Sequence, residues 1–543
     1  MYCMKRKFFM GLAITLLLVS CQKQSAINDG NGMNIAATQP AIVYRPDVDI
    51  PELFARVQTE MIYPDSKTFV DAIPKEKPAS IMKQYTAEKD RVGFDLKTFV
   101  EQHFELPAAL PVTHVSNETN MQEHLKAHWI NLLRNPQKTS EYSTLVQLPH
   151  PYIVPGGRFR EMFYWDSYFT IVGLLQSDQD QLAKDMIDNF AYLIDQYGFI
   201  PNGNRTYFLT RSQPPFFAAM LKLYAQKHGM DSVIEYLPQL EKEYTFWMDN
   251  QKTIPAKNSK GNHLIVLGNG DYVNRYFGAQ DVPRAEAFNK ETKWAQDLAE
   301  NDRANFFKNL RAACESGWDF SSRWYADGKT KTTINTMDLI PVDLSSLLYS
   351  LESILAELHQ YKHQQERADF YSKRAAQRKV FIQTYHYDAA TGTYQDYNFV
   401  TGERTGQLSI AMAFPLFVNA ATPEAAKSVA KHIKEKLLMP GGVVTTLTAS
   451  GEQWDYPNGW APMQYITVEG LLQYNQKPLA LDIAKRWLAL NERVYREEGK
   501  MMEKYNVVDT HIKAGGGNYP NQDGFGWTNG VDIAFYNLLN QQK

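Results

Sequence analysis

Apolar residues recurring at spacings of three and four dominate the chain from about residue 119 onward, and this constrains the fold more than any other feature. Leu344, Leu347, Leu348, Leu351, Leu355 and Leu358 share one helical face, as do Ala480, Ile483, Ala484, Trp487, Leu490 and Val494. Comparable segments lie near 168–197, 215–227, 231–249, 365–384, 408–419, 424–438, 463–474 and 529–541. Connectors rich in Gly, Pro and Asn separate them, and β-branched alternation is scarce. A solenoid would show its repeat in the letters, and no such repeat is visible. The expectation is an all-α chain whose paired helices close into a ring, with function in the Trp-, Gly- and Asp-rich loops between them.

The N-terminus carries a different signal. Lys5, Arg6 and Lys7 precede an apolar stretch, Phe8 to Val19, that is shorter than the about 20 residues a bilayer span needs. It ends Leu18-Val19-Ser20-Cys21, which resembles the lipobox of bacterial lipoproteins. That resemblance implies a signal peptide over 1–20, cleavage before Cys21 and lipidation of its thiol. Residues 21–45 are small and polar and read as a flexible tether, leaving 46–543 for the folded domain. Gln22 after the lipid-bearing cysteine mildly favours the outer membrane of a two-membrane cell. With residues 1–20 removed, only Cys21 and Cys314 remain, so an acylated Cys21 leaves no intrachain disulfide. Pro51 to Pro111 mixes short apolar runs with prolines and reads as an irregular N-terminal wrap. With 57 Lys and Arg against 60 Asp and Glu there is no basic face for nucleic acid, so the lipid is the one membrane contact expected. A monomer is expected.

Four loop segments stand out. The first runs Pro155-Gly156-Gly157-Arg158-Phe159-Arg160-Glu161-Met162-Phe163-Tyr164-Trp165-Asp166-Ser167-Tyr168. Its glycines permit a tight turn, Arg158 and Asp166 supply a forked donor and a two-oxygen acceptor, and Trp165 offers a flat face for a pyranose ring. Gln453-Trp454-Asp455-Tyr456-Pro457-Asn458-Gly459-Trp460-Ala461-Pro462 has a similar make-up. The third is Glu315-Ser316-Gly317-Trp318-Asp319-Phe320-Ser321-Ser322-Arg323-Trp324. The last comprises Glu503-Lys504-Tyr505, Ala514-Gly515-Gly516-Gly517-Asn518-Tyr519-Pro520 and Asp523 to Gly530. Acids, amides, arginines and tryptophans in loops suit a polyhydroxyl ligand, and the 13% aromatic content is in keeping with sugar stacking. Two carboxylates on separate loops are also what glycoside hydrolysis needs. Composition alone does not choose the pair among 60 acids.

On these residues the chain resembles the trehalase family of glycoside hydrolases. The first segment is similar to the family's P-G-G-R-F-x-E-x-Y-x-W-D-x-Y signature, with Phe163 where tyrosine is usual, and the second matches Q-W-D-x-P-x-G-W-A-P throughout. Ile200 to Arg205, Arg211 to Pro215, Pro283 to Glu286 and Ile340 to Leu344 extend the likeness, which covers roughly Pro51 to Asn540. It implies an (α/α)6 barrel, a toroid with long active-site loops, and an inverting α,α-trehalase acting on a small disaccharide. Asp319 falls at the family's general acid and Glu503 at its general base. Arg158, Trp165, Asp166, Asn202, Arg211 and Ser212 fall at sugar-binding positions, with Gln213, Arg284, Glu286 and Gly317. Asn518 stands where better-known bacterial trehalases carry a glutamate at another such position, which removes one negative charge and bears on affinity and pH optimum.

The implied chemistry makes demands of its own. Asp319 must hold its proton near neutral pH, which burial beside Trp318 and neighbouring acids would favour. Arg158, Arg211 and Arg284 would oppose this if aimed at Asp319; they are expected instead to bond sugar hydroxyls and to balance Asp166 and Glu286. The glycine run 515–517 is expected to close over the sugar, favouring a disaccharide over starch. No cofactor and no metal are expected: His124 and His128 have helical spacing but lack the glutamate of a zinc motif. Cys314 reads as a packed small hydrophobe. Two other functions stay open, cleavage of another small α-glucoside on the same barrel and tethered sugar binding without catalysis. Asn518 favours either, and the intact pair Asp319 and Glu503 counts against the second.

Overall fold

Burial sorts the helices into two layers. The structure, a computed structural model, describes residues 43–107, 120–251, 255–512, 520–522 and 524–541. The helices that matter here are α1 (Tyr164–Leu175), α2 (Asp180–Tyr197), α3 (Phe217–His228), α4 (Leu237–Trp247), α5 (Glu300–Glu315) and α6 (Val342–Tyr361). They continue with α7 (Gln365–Phe381), α8 (Phe414–Phe417), α9 (Pro423–His432), α10 (Ala461–Gln473), α11 (Lys477–Glu498) and α12 (Gly526–Asn540). Every residue of α1 is buried, as are most of α10 and the whole run Gly526 to Phe535 in α12. A helix covered on all sides belongs inside. By contrast α2 and α11 bury one apolar stripe and turn their charged faces outward.

The inner helices α1, α3, α6, α8, α10 and α12 pack each on the next, and α12 returns to lie along α1. Behind them α2 lies against α1 and α3, α4 against α6, α7 along α6, and α11 against α10 and α12. The short helix Met121–Ala127 backs α12. This is the (α/α)6 barrel expected. Its closing seam rests on two glycines: a Cβ on Gly530 would lie 2.0 Å from the Phe169 carbonyl oxygen, and one on Gly173 would lie 2.4 Å from the Gly530 Cα. Among the described residues no helix is long and apolar enough to cross a membrane.

Several segments depart from expectation. The stretch 168–197 is two helices, broken where Asp178 adopts φ 57°. The expected helix at 408–419 is a 3-10 turn, Ile410–Ala413, running into the single turn of α8. Helix α5 escaped the periodicity because its first turns are polar and exposed while Asn309, Arg311 and Glu315 are buried among its apolar residues.

The N-terminal wrap is more regular than its prolines suggested. Helices Pro51–Glu60, Pro78–Glu88 and Leu96–His103 gather Leu53, Phe54, Phe69, Phe99 and Phe104 into a cluster that also holds Phe163, Tyr207 and Phe208 from the ring's loops. Pro sits in the first turn of two of them, where its missing N–H costs nothing. A buried charge cluster fastens the wrap: Lys67 Nζ lies 3.2 Å from both Asp71 and Glu161, and Arg205 Nε donates to Glu161 at 2.8 Å. Burial alone would raise the Glu161 carboxyl, but Lys67 and Arg205 outweigh it and bring it down to about 2.

Candidate active site

Asp319 sits four residues beyond the end of α5, in a loop held from three directions. Gly317 lets the loop pass Trp165: it adopts φ +77°, and a Cβ there would come within 2.8 Å of the Trp165 ring. Asp455 accepts from the Ser321 hydroxyl at 2.7 Å and from the Ser322 N–H at 2.8 Å. Arg323 forks onto Asp343, with both bonds at 3.0 Å, and onto Asp396 at 2.7 and 2.8 Å. All three of those charges are buried, so their full pairing is what makes the burial tolerable. Gln453 Nε2 then donates to the Asp319 carbonyl at 2.6 Å.

Glu503 immediately precedes the short strand Lys504–Asn506, which pairs antiparallel with Asn458–Trp460 in the register Trp460 to Lys504. Its N–H donates to the Gln522 carbonyl at 3.0 Å, and its own carbonyl accepts from Trp527 Nε1 at 2.9 Å. The Lys504 ammonium stands 3.4 Å from the Glu503 carboxylate.

Both acids face one cavity. Arg158, Trp165, Asp166, Asn202, Arg211 and Gln213 line it, joined by Arg284, Glu286 and Gly317. Ser212 does not. Its hydroxyl donates to the Ile200 carbonyl at 2.7 Å, and its N–H donates to Glu315 Oε1 at 3.0 Å, so it orients Arg211 and Gln213 through the backbone. Gln213 Oε1 accepts from the Trp165 N–H at 3.2 Å, tying two of these segments together. Cys314, expected as core filler, is buried but also part of the wall, and burial pushes its thiol pKa up and away from a reactive thiolate. Asn518, the glycine run 515–517, Cys21, the leader 1–20 and most of the tether lie outside the described residues.

The charges follow expectation at Glu286 and depart from it at Asp166. Arg211 bonds Glu286 at 2.8 Å and Asn202 at 2.8 Å, whereas Arg284 bonds Glu291 at 2.5 Å and approaches Glu286 at 3.4 Å. Arg158 forks onto Asp65 of the wrap at 2.9 and 2.5 Å. The arginines therefore balance Glu286, Glu291 and Asp65 rather than Asp166. Burial would raise Glu286, but Arg211 and Arg284 hold it at about 2. For Asp319 the contest goes the other way: burial, helped by Glu503, outweighs Arg284 and Arg211 and lifts its carboxyl to about 6. Burial, with Glu503 and Asp319 nearby, pushes Asp166 well above the usual carboxylate range. The cavity thus offers a carboxyl that keeps its proton up to about pH 6, a second carboxylate beside a cation, and a ring of forked donors and acceptors for hydroxyls.

Sequence reasoning passed over several groups. Ser66 and Lys67 of the wrap also line the cavity, as do Lys290 and Trp294. Their surroundings in sequence, such as Tyr63-Pro64-Asp65-Ser66, contain no pattern that points to a site. Glu315 is a further omission: it accepts from the Ser212 and Phe277 N–H groups and from His263, and so anchors the start of the Asp319 loop. Among the described residues His150, Asp185 and Asp188 bring ligand atoms within 4.8 Å of one another. Asp188 is already engaged by Lys184 and Tyr236, and none of the three lines the cavity.

Comparison with known proteins gives a consistent picture. The family model described as trehalase matches residues 61–540. A periplasmic trehalase of Xanthomonas oryzae is 42% identical over 530 residues, 97% of this chain and 92% of that protein. One from Pseudomonas aeruginosa is 42% identical over 527 residues, 97% and 96% of the two chains. Among solved structures, the neutral trehalase of Saccharomyces cerevisiae superposes with a TM-score of 0.60 at 25% identity, over 79% of this chain and 81% of that one.

Proposed function

The chain belongs to the trehalase family of glycoside hydrolases, and from that membership we propose that it hydrolyses α,α-trehalose to two glucose molecules in the periplasm. The observation that carries the reading is a buried carboxyl lifted to about 6, Asp319, sharing one cavity with Glu503 and with the side chains that bond hydroxyls. In this reading Asp319 gives its proton to the departing glucose oxygen. Glu503 takes a proton from a water that attacks the opposite face, so the products are one β-glucose and one α-glucose. Arg158, Arg211, Arg284, Asn202, Gln213, Asp166 and Glu286 hold the hydroxyls, and Trp165 supplies an apolar face. Asn518 offers an amide where the family resemblance places a charged acceptor, which weakens the pull on a hydroxyl proton. We place the leader at 1–20 and the tether at 21–45, with Cys21 carrying the lipid of a monomeric enzyme.

Proton NMR of the purified protein with α,α-trehalose tests this directly. Equal early signals of β- and α-glucose are expected, with kcat reduced at least about a hundredfold in Asp319→Asn and Glu503→Gln while trehalose still binds. Only α-glucose at early times would mean retention and a wrong assignment of the pair. Binding without any glucose would mean a sugar-binding protein, and make Asn518→Glu the next variant.

A further inference from the structure

Lys504 is an ammonium in the interior: 1% of its surface is exposed, and its strand partner Trp460 lies with its ring 5.3 Å from Nζ. A buried cation persists where an opposite charge and hydrogen bonds compensate its lost hydration. Here the compensation comes from two directions. Nζ lies 3.4 Å from Glu503 Oε2 and donates to Gln453 Oε1 at 3.3 Å. The other end of the same Gln453 amide donates to the Asp319 carbonyl at 2.6 Å. Gln453 is itself held, since its backbone carbonyl accepts from Asn458 Nδ2 at 3.2 Å and from Trp460 Nε1 at 3.0 Å. Asn521 brackets Lys504 on the main chain, accepting from its N–H at 3.3 Å and donating to its carbonyl at 3.0 Å.

We propose that Lys504 and Gln453 form a positioning bridge between the two reacting carboxyls, the ammonium holding the Glu503 carboxylate in place while the amide ties that ammonium to the loop of Asp319. The bridge rests on the assignment of Glu503 as base and Asp319 as acid. It explains a feature that sugar binding does not require, a buried Gln–Lys pair spanning two loops that are 134 residues apart at the Gln453–Asp319 contact. Among the described residues, Lys504 on its own strand lies against Glu503, and Asp319 from the loop after α5 and Asp166 from α1 are near enough to feel its charge.

The test is the separate measurement of kcat and KM on trehalose for the full-length protein, with Lys504→Met and Gln453→Leu beside it. Lys504→Met is expected to lower kcat about tenfold to a hundredfold while KM changes little, because the carboxylate it holds is then misplaced. Gln453→Leu is expected to lower kcat about tenfold to a hundredfold with KM little changed, as misplacement of reacting groups does. A conservative Gln453→Glu keeps an acceptor for Lys504 but loses the donor to Asp319, and should not restore kcat. If a folded Lys504→Met keeps the parent's kcat, the bridge is wrong. Should Lys504→Met fail to fold, Gln453→Leu decides alone: a rise in KM at unchanged kcat overturns the proposal. Glu503→Gln run in parallel keeps the two questions apart, since full activity there sinks the acid–base assignment rather than the bridge.

Discussion

The proton on Asp319 is kept in the presence of two cations. Burial raises its carboxyl, Arg284 and Arg211 lower it, and the balance stands at about 6. Each arginine is already partnered, by Glu286 and Glu291, which blunts its effect on Asp319. The alkaline limb of kcat/KM should therefore fall near pH 6, where the acid form disappears. Arg284→Met removes one of the opposing charges, so Asp319 should hold its proton to higher pH and the limb should move upward by roughly one unit. KM should rise at the same time, because a donor to the sugar is lost. A limb that stays or moves down in that variant would mean another group governs it.

At the scale of elements, α5 sets the site most directly and was the least visible beforehand. Its end is anchored by Glu315, which His263 meets at 3.1 Å while Asp249 lies 3.5 Å from the other ring nitrogen. Burial would lower the His263 pKa, but Glu315 and Asp249 outweigh it and raise it to about 9. A histidine whose folded pKa exceeds its unfolded value of about 6.5 stabilises fully below that value and loses its contribution as pH rises through the folded one. Thermal melts between pH 7 and 10 should thus show a loss on the order of 3 kcal/mol, which His263→Gln should flatten. The same helix shows why parts of the fold were legible and parts were not. The leucine faces of α6 and the alternating stripe of α11 announce themselves because their buried residues are apolar. In α5 the buried face carries Asn309, Arg311 and Glu315, whose partners lie far along the chain, so no local pattern marks it. The loops were legible for a different reason: Trp-Asp and Gly-rich runs keep their chemistry in the letters. Ser66 and Lys67, brought to the cavity by the packing of the wrap, do not, nor does Asp65, which holds Arg158 there.

For the whole molecule the decisive contact is the seam between α1 and α12. Backbones meet there at Gly173 and Gly530, and no side chain fits between them. Gly530→Ala is expected to cost about 1–3 kcal/mol or more, as overpacking does, and to lower Tm and activity together. Gly198→Ala is the comparison on this point: nothing lies within 4 Å of a Cβ there, and its cost is confined to local backbone strain at φ +80°. A Gly530→Ala protein as stable as its parent would show that the ring closes by another route.

The seam also bears on biosynthesis. A polypeptide is made, and exported, from its N-terminus forward, so the first inner helix waits for the last one. A chain halted at residue 500 already carries Asp319 but lacks Glu503, Lys504 and the helix that completes the circle. With Glu503 as the proposed base, catalysis is absent from every nascent length that stops short of it. A hydrolase built this way stays silent on the ribosome, and begins to consume sugar only in the compartment where Glu503 has arrived and α12 has closed on α1.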